Sequence, residues 1–76
     1  MNLDKIVGDN IRGYREKLKL SQEALAVKAK LSSNYLGEVE RARETISIRR
    51  FAQITKVLKI APYLFFIPDS YKSDAK

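Results

Sequence analysis

The chain has no cysteine and no histidine. Without cysteine it closes no disulfide, which suits a reducing cytoplasm. Without histidine it lacks both the commonest general base and the commonest zinc ligand. Its glycines number only 3, and they form no glycine-rich loop that could cradle a phosphate. The opening Met-Asn-Leu-Asp carries no apolar run, so no signal peptide is expected. No stretch approaches the roughly 20 apolar residues of a membrane span. Together with a length of 76 residues, which leaves no room for a substrate pocket of ordinary size, these absences argue against an enzyme. They also point to no cofactor and no metal.

What the chain has is positive charge. Fifteen Lys and Arg face nine Asp and Glu, for a net charge of +6. Such an excess speaks about partners rather than fold. Nucleic acid, an anionic membrane surface and an acidic protein are the candidates, beside a basic surface that serves only solubility. The length allows one domain. A domain of this size buries only about 60% of its unfolded surface, so its core is marginal.

Helical periods run the length of the chain. Val7, Ile11, Tyr14 and Leu18 are spaced 4, 3 and 4 apart and make one apolar stripe, with Asp4 as its cap or in its first turn. That helix should end near Leu20. Ser21 reads as an N-cap with Gln22 and Glu23 behind it. Ala24, Leu25, Ala26 and Ala29 then form a short alanine-rich helix. Ser32 or Ser33 caps a second short helix, from Ser33 to Arg41, with Leu36 and Val39 on its inner face. Arg41 to Ser47 reads as a loop. Ser47 caps a helix whose stripe is Ile48, Phe51, Ile54 and Leu58. Pro62 suits a helical first turn, so residues 62–67 read as a short fifth helix ending at Pro68. The polar tail, residues 68–76, should fray. No alternating run is long enough for a strand, and the expected class is all-α.

The stretch from Gln22 has a particular arrangement. Leu25, Ala29, Leu31, Leu36 and Val39 are the apolar positions of a 20-residue window, and the small Ala26 sits where two helices would cross. This is the pattern of a helix-turn-helix, whose second helix presents its first side chains to a DNA major groove. Ser32, Ser33, Asn34 and Glu38 are the residues so exposed. Asparagine pairs with adenine, serine donates or accepts, and glutamate accepts from cytosine. A merely solvated face is the other reading.

"SQEALA", "SSNYLGEVER" and "ISIRRFAQITKVLKI", in this order and register, resemble the lambda-repressor-like (Cro/repressor, XRE-type) DNA-binding domain. The likeness spans about Val7 to Ile67, and the chain is most similar to small restriction-modification controllers and short phage or plasmid repressors. The resemblance implies a five-helix lambda-repressor-like domain over residues 1–67. It implies that Gln22, at the start of the first motif helix, works on the DNA beside the capping Ser21. It also implies a partly buried ion pair between Arg15 and Glu40. Phe65 and Phe66 match the family's core-facing pair. Two positions depart from the pattern. Lys30 stands where glycine is usual, and Ala42 where glycine or asparagine is common. A left-handed backbone at Lys30 would cost about 1 kcal/mol.

Around this frame, Arg41 and Arg43 lie in the loop after the recognition helix, where phosphate contact is the natural role. Lys28 is a further DNA candidate, and Lys30 and Arg49 are weaker ones. Tyr35 could pack partly inward and offer its hydroxyl to a phosphate. Gly37 either lets a base or backbone approach closely or is neutral. Pro62, Tyr63, Leu64 and Ile67 make an apolar patch suited to a homodimer interface. The expected function is a cytoplasmic, nucleoid-associated, dimeric transcription regulator on a pseudo-palindromic double-stranded operator. RNA polymerase is the further partner such a regulator implies. The alternative is a protein-interaction module of the same fold, such as an antitoxin or adaptor.

Overall fold

The computed structural model describes residues 2–73. Each α-helix starts where a short polar side chain can satisfy a free backbone N–H. Helix α1 (Leu3–Lys17) is capped by Asn2, whose side chain accepts from the Lys5 amide, and Asp4 lies in the first turn. Helix α2 (Gln22–Ala29) is capped by Ser21, helix α3 (Ser33–Glu40) by Ser32, and helix α4 (Ile48–Leu58) by Ser47. A 3₁₀ helix (Pro62–Phe66) and a 3₁₀ turn (Ser70–Lys72) follow. Among the described residues, four α-helices and two short 3₁₀ segments stand where five helices were expected. No strand occurs among the described residues.

The fifth segment is 3₁₀ for a local reason. Pro62 opens it, and Pro68 drives the preceding Ile67 to an extended backbone (φ −97°, ψ 120°). Only five residues remain between these limits, too few for an α-helix to gain from its nucleus.

The core collects one stripe from each helix. Val7, Ile11 and Tyr14 of α1 meet Leu25, Ala26 and Ala29 of α2, Leu36 and Val39 of α3, Phe51, Ile54 and Leu58 of α4, and Phe65. Phe65 sits among the rings of Tyr14 and Phe51, at centroid distances of 5.1 and 5.4 Å. Three expected core residues lie elsewhere. Leu18 is exposed because α1 ends at Lys17 and Leu18 is its C-cap. Ile48 is 87% exposed, since nothing packs over the first residue of α4. Phe66 is 47% exposed and lays its ring against Phe51 from outside, at 5.4 Å.

Close approach of α1 and α3 depends on Gly8. A Cβ there would lie 2.5 Å from the Val39 carbonyl oxygen and 3.0 Å from that of Glu40. The two usual-glycine positions keep their left-handed backbone without glycine: φ is 62° at Lys30 and 61° at Ala42. At Lys30 the Leu31 amide reaches back to the Ala26 carbonyl at 2.8 Å, which closes the turn of the motif.

The tail is packed as far as Ser73. Buried Asn10 donates from Nδ2 to the Phe65 and Ile67 carbonyls, both at 2.9 Å. Its Oδ1 faces Ser70 and the Tyr71 amide. Tyr14 and Ser70 share a hydroxyl hydrogen bond of 2.9 Å, and Lys17 donates to the Tyr71 carbonyl at 2.8 Å. The Tyr71 ring occupies the space a side chain at position 13 would need, which is why Gly13 suits that turn of α1. Polar composition suggested fraying, but these polar groups find partners on α1. The expectation for residues 74–76 lies outside the described residues.

Candidate nucleic-acid interface

The recognition helix α3 is fixed from behind by a buried carboxylate. Glu40 accepts from Arg15 Nε at 2.7 Å and from the Arg15 terminal nitrogen at 3.0 Å. The Glu40 side chain is 1% exposed. Arg15 also donates to the Leu20 carbonyl at 2.9 Å, so one guanidinium ties α1, the turn before α2 and α3 together. Its hydrogen bond to Glu40 outweighs desolvation and raises the Arg15 pKa above its already high ordinary value. It therefore stays charged throughout any working pH range.

Gln22 joins the same carboxylate. Its Nε2 donates to Glu40 Oε1 at 2.9 Å. A carboxylate only accepts, so the amide nitrogen must face Glu40, and this fixes which way the amide points. One N–H and the Gln22 oxygen remain to face outward. That oxygen lies beside Gly37, where a Cβ would come within 3.3 Å of it and 3.4 Å of the Arg41 guanidinium. Gln22 is thus held as a bridge between α2 and α3, with one N–H and its oxygen left for a further partner.

The outer face of α3 carries the remaining candidates. Asn34 is exposed and Ser33 half-buried. Ser32 is exposed, but its Oγ accepts the Tyr35 amide at 3.0 Å and so works as a cap. Ser21 likewise accepts from Ala24. Glu38 pairs with Arg41 at 2.6 Å, one turn along the helix, so its carboxylate faces a partner before any DNA arrives. Tyr35 is half-buried. Its hydroxyl accepts from the Ser47 amide at 3.4 Å, and the Arg50 guanidinium lies 4.9 Å from its ring centre. Arg43 is exposed and makes no ion pair among the described residues. Lys28 is exposed in the last turn of α2, and Lys30 and Arg49 are exposed at helix ends. Arg50, which the sequence pattern did not single out, is placed by its ring contact with Tyr35.

The apolar surface divides around the 3₁₀ helix. Residues three apart eclipse in such a helix, so Tyr63 and Phe66 share a face; Tyr63 is 66% exposed. Phe66, Ile48, Leu3 and Ile46 line one open groove of about 370 Å³. Leu64, Ile67, Leu18 and Ile60 line another of about 480 Å³. Both are larger than the sequence led one to expect, but they are apolar surface grooves. Pro62 is exposed. Among the described residues no group of three or more metal-ligating side chains comes together, and no helix is long and apolar enough to cross a membrane.

An α2–turn–α3 unit braced by a buried Arg–Glu pair, with polar side chains outward, defines a helix-turn-helix protein. Residues 11–65 match the family model described as helix-turn-helix, and the chain belongs to that family, in its XRE-type branch. It is 34% identical over 58 residues to the control protein C.SmaI of Serratia marcescens, covering 76% of this chain and 69% of the relative. It is 33% identical over 75 residues to an uncharacterized transcriptional regulator in the ATPase CF(0) region of Rhodospirillum rubrum, covering 99% and 68%. Its fold superposes on the restriction-modification controller protein C.AhdI of Aeromonas hydrophila with a TM-score of 0.80 at 32% identity, covering 83% of this chain and 96% of that one. The chain is a helix-turn-helix transcription regulator homologous to restriction-modification controller proteins.

Proposed function

We propose that the protein binds a pseudo-palindromic operator in double-stranded DNA as a homodimer and controls a restriction-modification gene pair. The observation that carries this is the outer face of α3. Ser33, Asn34 and Glu38 stand on a helix held at its far end by the Arg15–Glu40–Gln22 network, on a chain of net charge +6. In this reading α3 enters the major groove and Asn34 reads a base edge. Arg41 and Arg43 contact phosphate at the helix's C-terminal end, with Lys28 adding charge and the Tyr35 hydroxyl a hydrogen bond. Ser21 and Ser32 act chiefly as caps, and their helix N-termini approach the backbone.

A dimer places two recognition helices about 34 Å apart, one turn of DNA. Of the patch read from sequence as Pro62, Tyr63, Leu64 and Ile67, the Tyr63 side is shared by Phe66, which lines a groove with Ile48, and the exposure of these three supports an interface there; Leu64 and Ile67 line the other groove. The control protein among the relatives supports the restriction-modification setting.

The test is selection of short genomic fragments by the purified protein at low and near-physiological salt. An inverted repeat recovered at both is expected, beside the protein's own gene and a nuclease or methyltransferase gene. With six to eight phosphates neutralised, log K against log salt should slope at roughly −5 to −7. Alanine at Asn34 should then cost about 1–3 kcal/mol at one base position, whereas alanine at Arg43 should weaken all sequences alike. Random fragments that vanish with salt would overturn the operator reading and favour a protein-interaction module.

A further inference from the structure

The outer face of α1 contributes cations beside the recognition helix. A concavity of about 340 Å³ opens between this face and the turn that leaves α3, lined by Lys5, Asp9, Arg12, Arg41 and Arg43, with Glu40 at its floor. The carboxylates nearby are already engaged. Glu40 is neutralised by Arg15, and Glu38 by Arg41. Asp9 accepts from Lys5 Nζ at 3.1 Å and lies at ion-pair distance, 3.8 Å, from an Arg12 terminal nitrogen. Asp9 is also the most recessed of these three, with its side chain 28% exposed against 66% for Lys5 and 49% for Arg12. Two cations from one helix are thereby held at the rim of a hollow that Arg41 and Arg43 close from the other side.

We propose that Lys5 and Arg12, held by Asp9, form a seat for a DNA backbone phosphate next to the one that Arg41 and Arg43 serve. The seat extends the footprint from the motif helices onto α1. It rests on the proposal that α3 enters a DNA groove, and its ligand is the phosphodiester of the flanking strand. Lysine and arginine contacts of this kind fix register without reading sequence. In sequence the three residues fall at i, i+4 and i+7 of an exposed helix face, which looks like ordinary solvated charge. Only the packing of α1 against α3 brings them beside the α3 exit.

The experiment compares Arg12→Gln and Lys5→Gln with Lys56→Gln, the same charge change in the last turn of α4, outside the concavity. Binding is measured against salt on the duplex that the unaltered protein recovers from a random pool. Each α1 variant should flatten the salt slope by about 0.9 per half-site, or about 1.8 for a dimer, with base preference unchanged. Lys56→Gln should flatten it by clearly less. Thermal melting establishes that all three variants fold. Equal slopes for the α1 and α4 variants would overturn the seat, since Arg12 and Lys5 would then add only to net charge. Failure of the pool to yield any common sequence would overturn the operator reading instead. The same three-variant comparison on a random-sequence duplex would still decide the seat.

Discussion

Replacing Arg15 by methionine should remove a large share of the protein's stability. The buried Glu40 carboxylate, its side chain 1% exposed, would be left with only the Gln22 amide at 2.9 Å in place of three donors. Breaking one side of a buried pair costs about 3–5 kcal/mol, because a buried charge is left uncompensated. A chain of this length has about 4–11 kcal/mol in total. Arg15→Met should therefore be partly unfolded near room temperature or melt far below the unaltered protein. The double variant Arg15→Met/Glu40→Met removes both charges and leaves apolar groups of similar volume. It should be more stable than Arg15→Met, losing about 1–2 kcal/mol against the starting protein because the Leu20 carbonyl and the Gln22 amide lose their partners. Urea unfolding of the two single variants, the double variant and the parent closes a thermodynamic cycle, with an expected coupling of about 3 kcal/mol or more. The double variant should also bind DNA less well while remaining folded, because Gln22 has lost the carboxylate that orients it. The reasoning is refuted if Arg15→Met costs less than about 1 kcal/mol, or if the double variant loses the sum of the two singles.

Three further outcomes follow from the same geometry. Gly8→Ala should destabilise by about 1–3 kcal/mol in urea melts, because the added methyl meets the backbone carbonyls of Val39 and Glu40 rather than a side chain that can move aside. Lys30→Gly and Ala42→Gly should each raise stability by a few tenths to about 1 kcal/mol, the left-handed strain relieved less the entropy that glycine adds to the unfolded chain; a loss at both sites would contradict the strain. In the proposed homodimer, Ile48→Asp and Tyr63→Asp should each shift sedimentation toward monomer while the fold is kept, since both side chains are exposed; a dimer that persists in both variants would place the interface elsewhere, and a monomeric parent would overturn the homodimer.

Much of this molecule can be derived from short-range pattern. Ser21, Ser32 and Ser47 each precede a helical stripe, and each is the cap of the helix that follows. Capping is local: a serine oxygen reaches an amide three residues on, so sequence suffices. The motif itself is legible for a similar reason, since Leu25, Ala26, Leu36 and Val39 must fall at fixed offsets for two short helices to cross. The failures occur where pattern has no reach. Ile48 and Leu18 continue their stripes in spacing, yet each sits at a helix end and is exposed. Phe66 looks as apolar as Phe65, and only the 3₁₀ winding between Pro62 and Pro68 turns it outward.

Polar residues were the least legible. Asn10 looks like one more surface amide on α1, but it is fully buried and holds the carbonyls of Phe65 and Ile67, 55 and 57 residues away. Gln22 looks like an unattached surface amide, yet one of its N–H groups is held by Glu40. By itself the sequence determined four α-helices, the serine caps of three of them and most of the inner stripes, and it marked the candidate face of α3, because each depends on residues within a few positions. The tertiary structure alone decided which polar side chains are spent on the fold and which remain for a partner. A hydrogen bond between distant segments leaves no periodic trace in either of them.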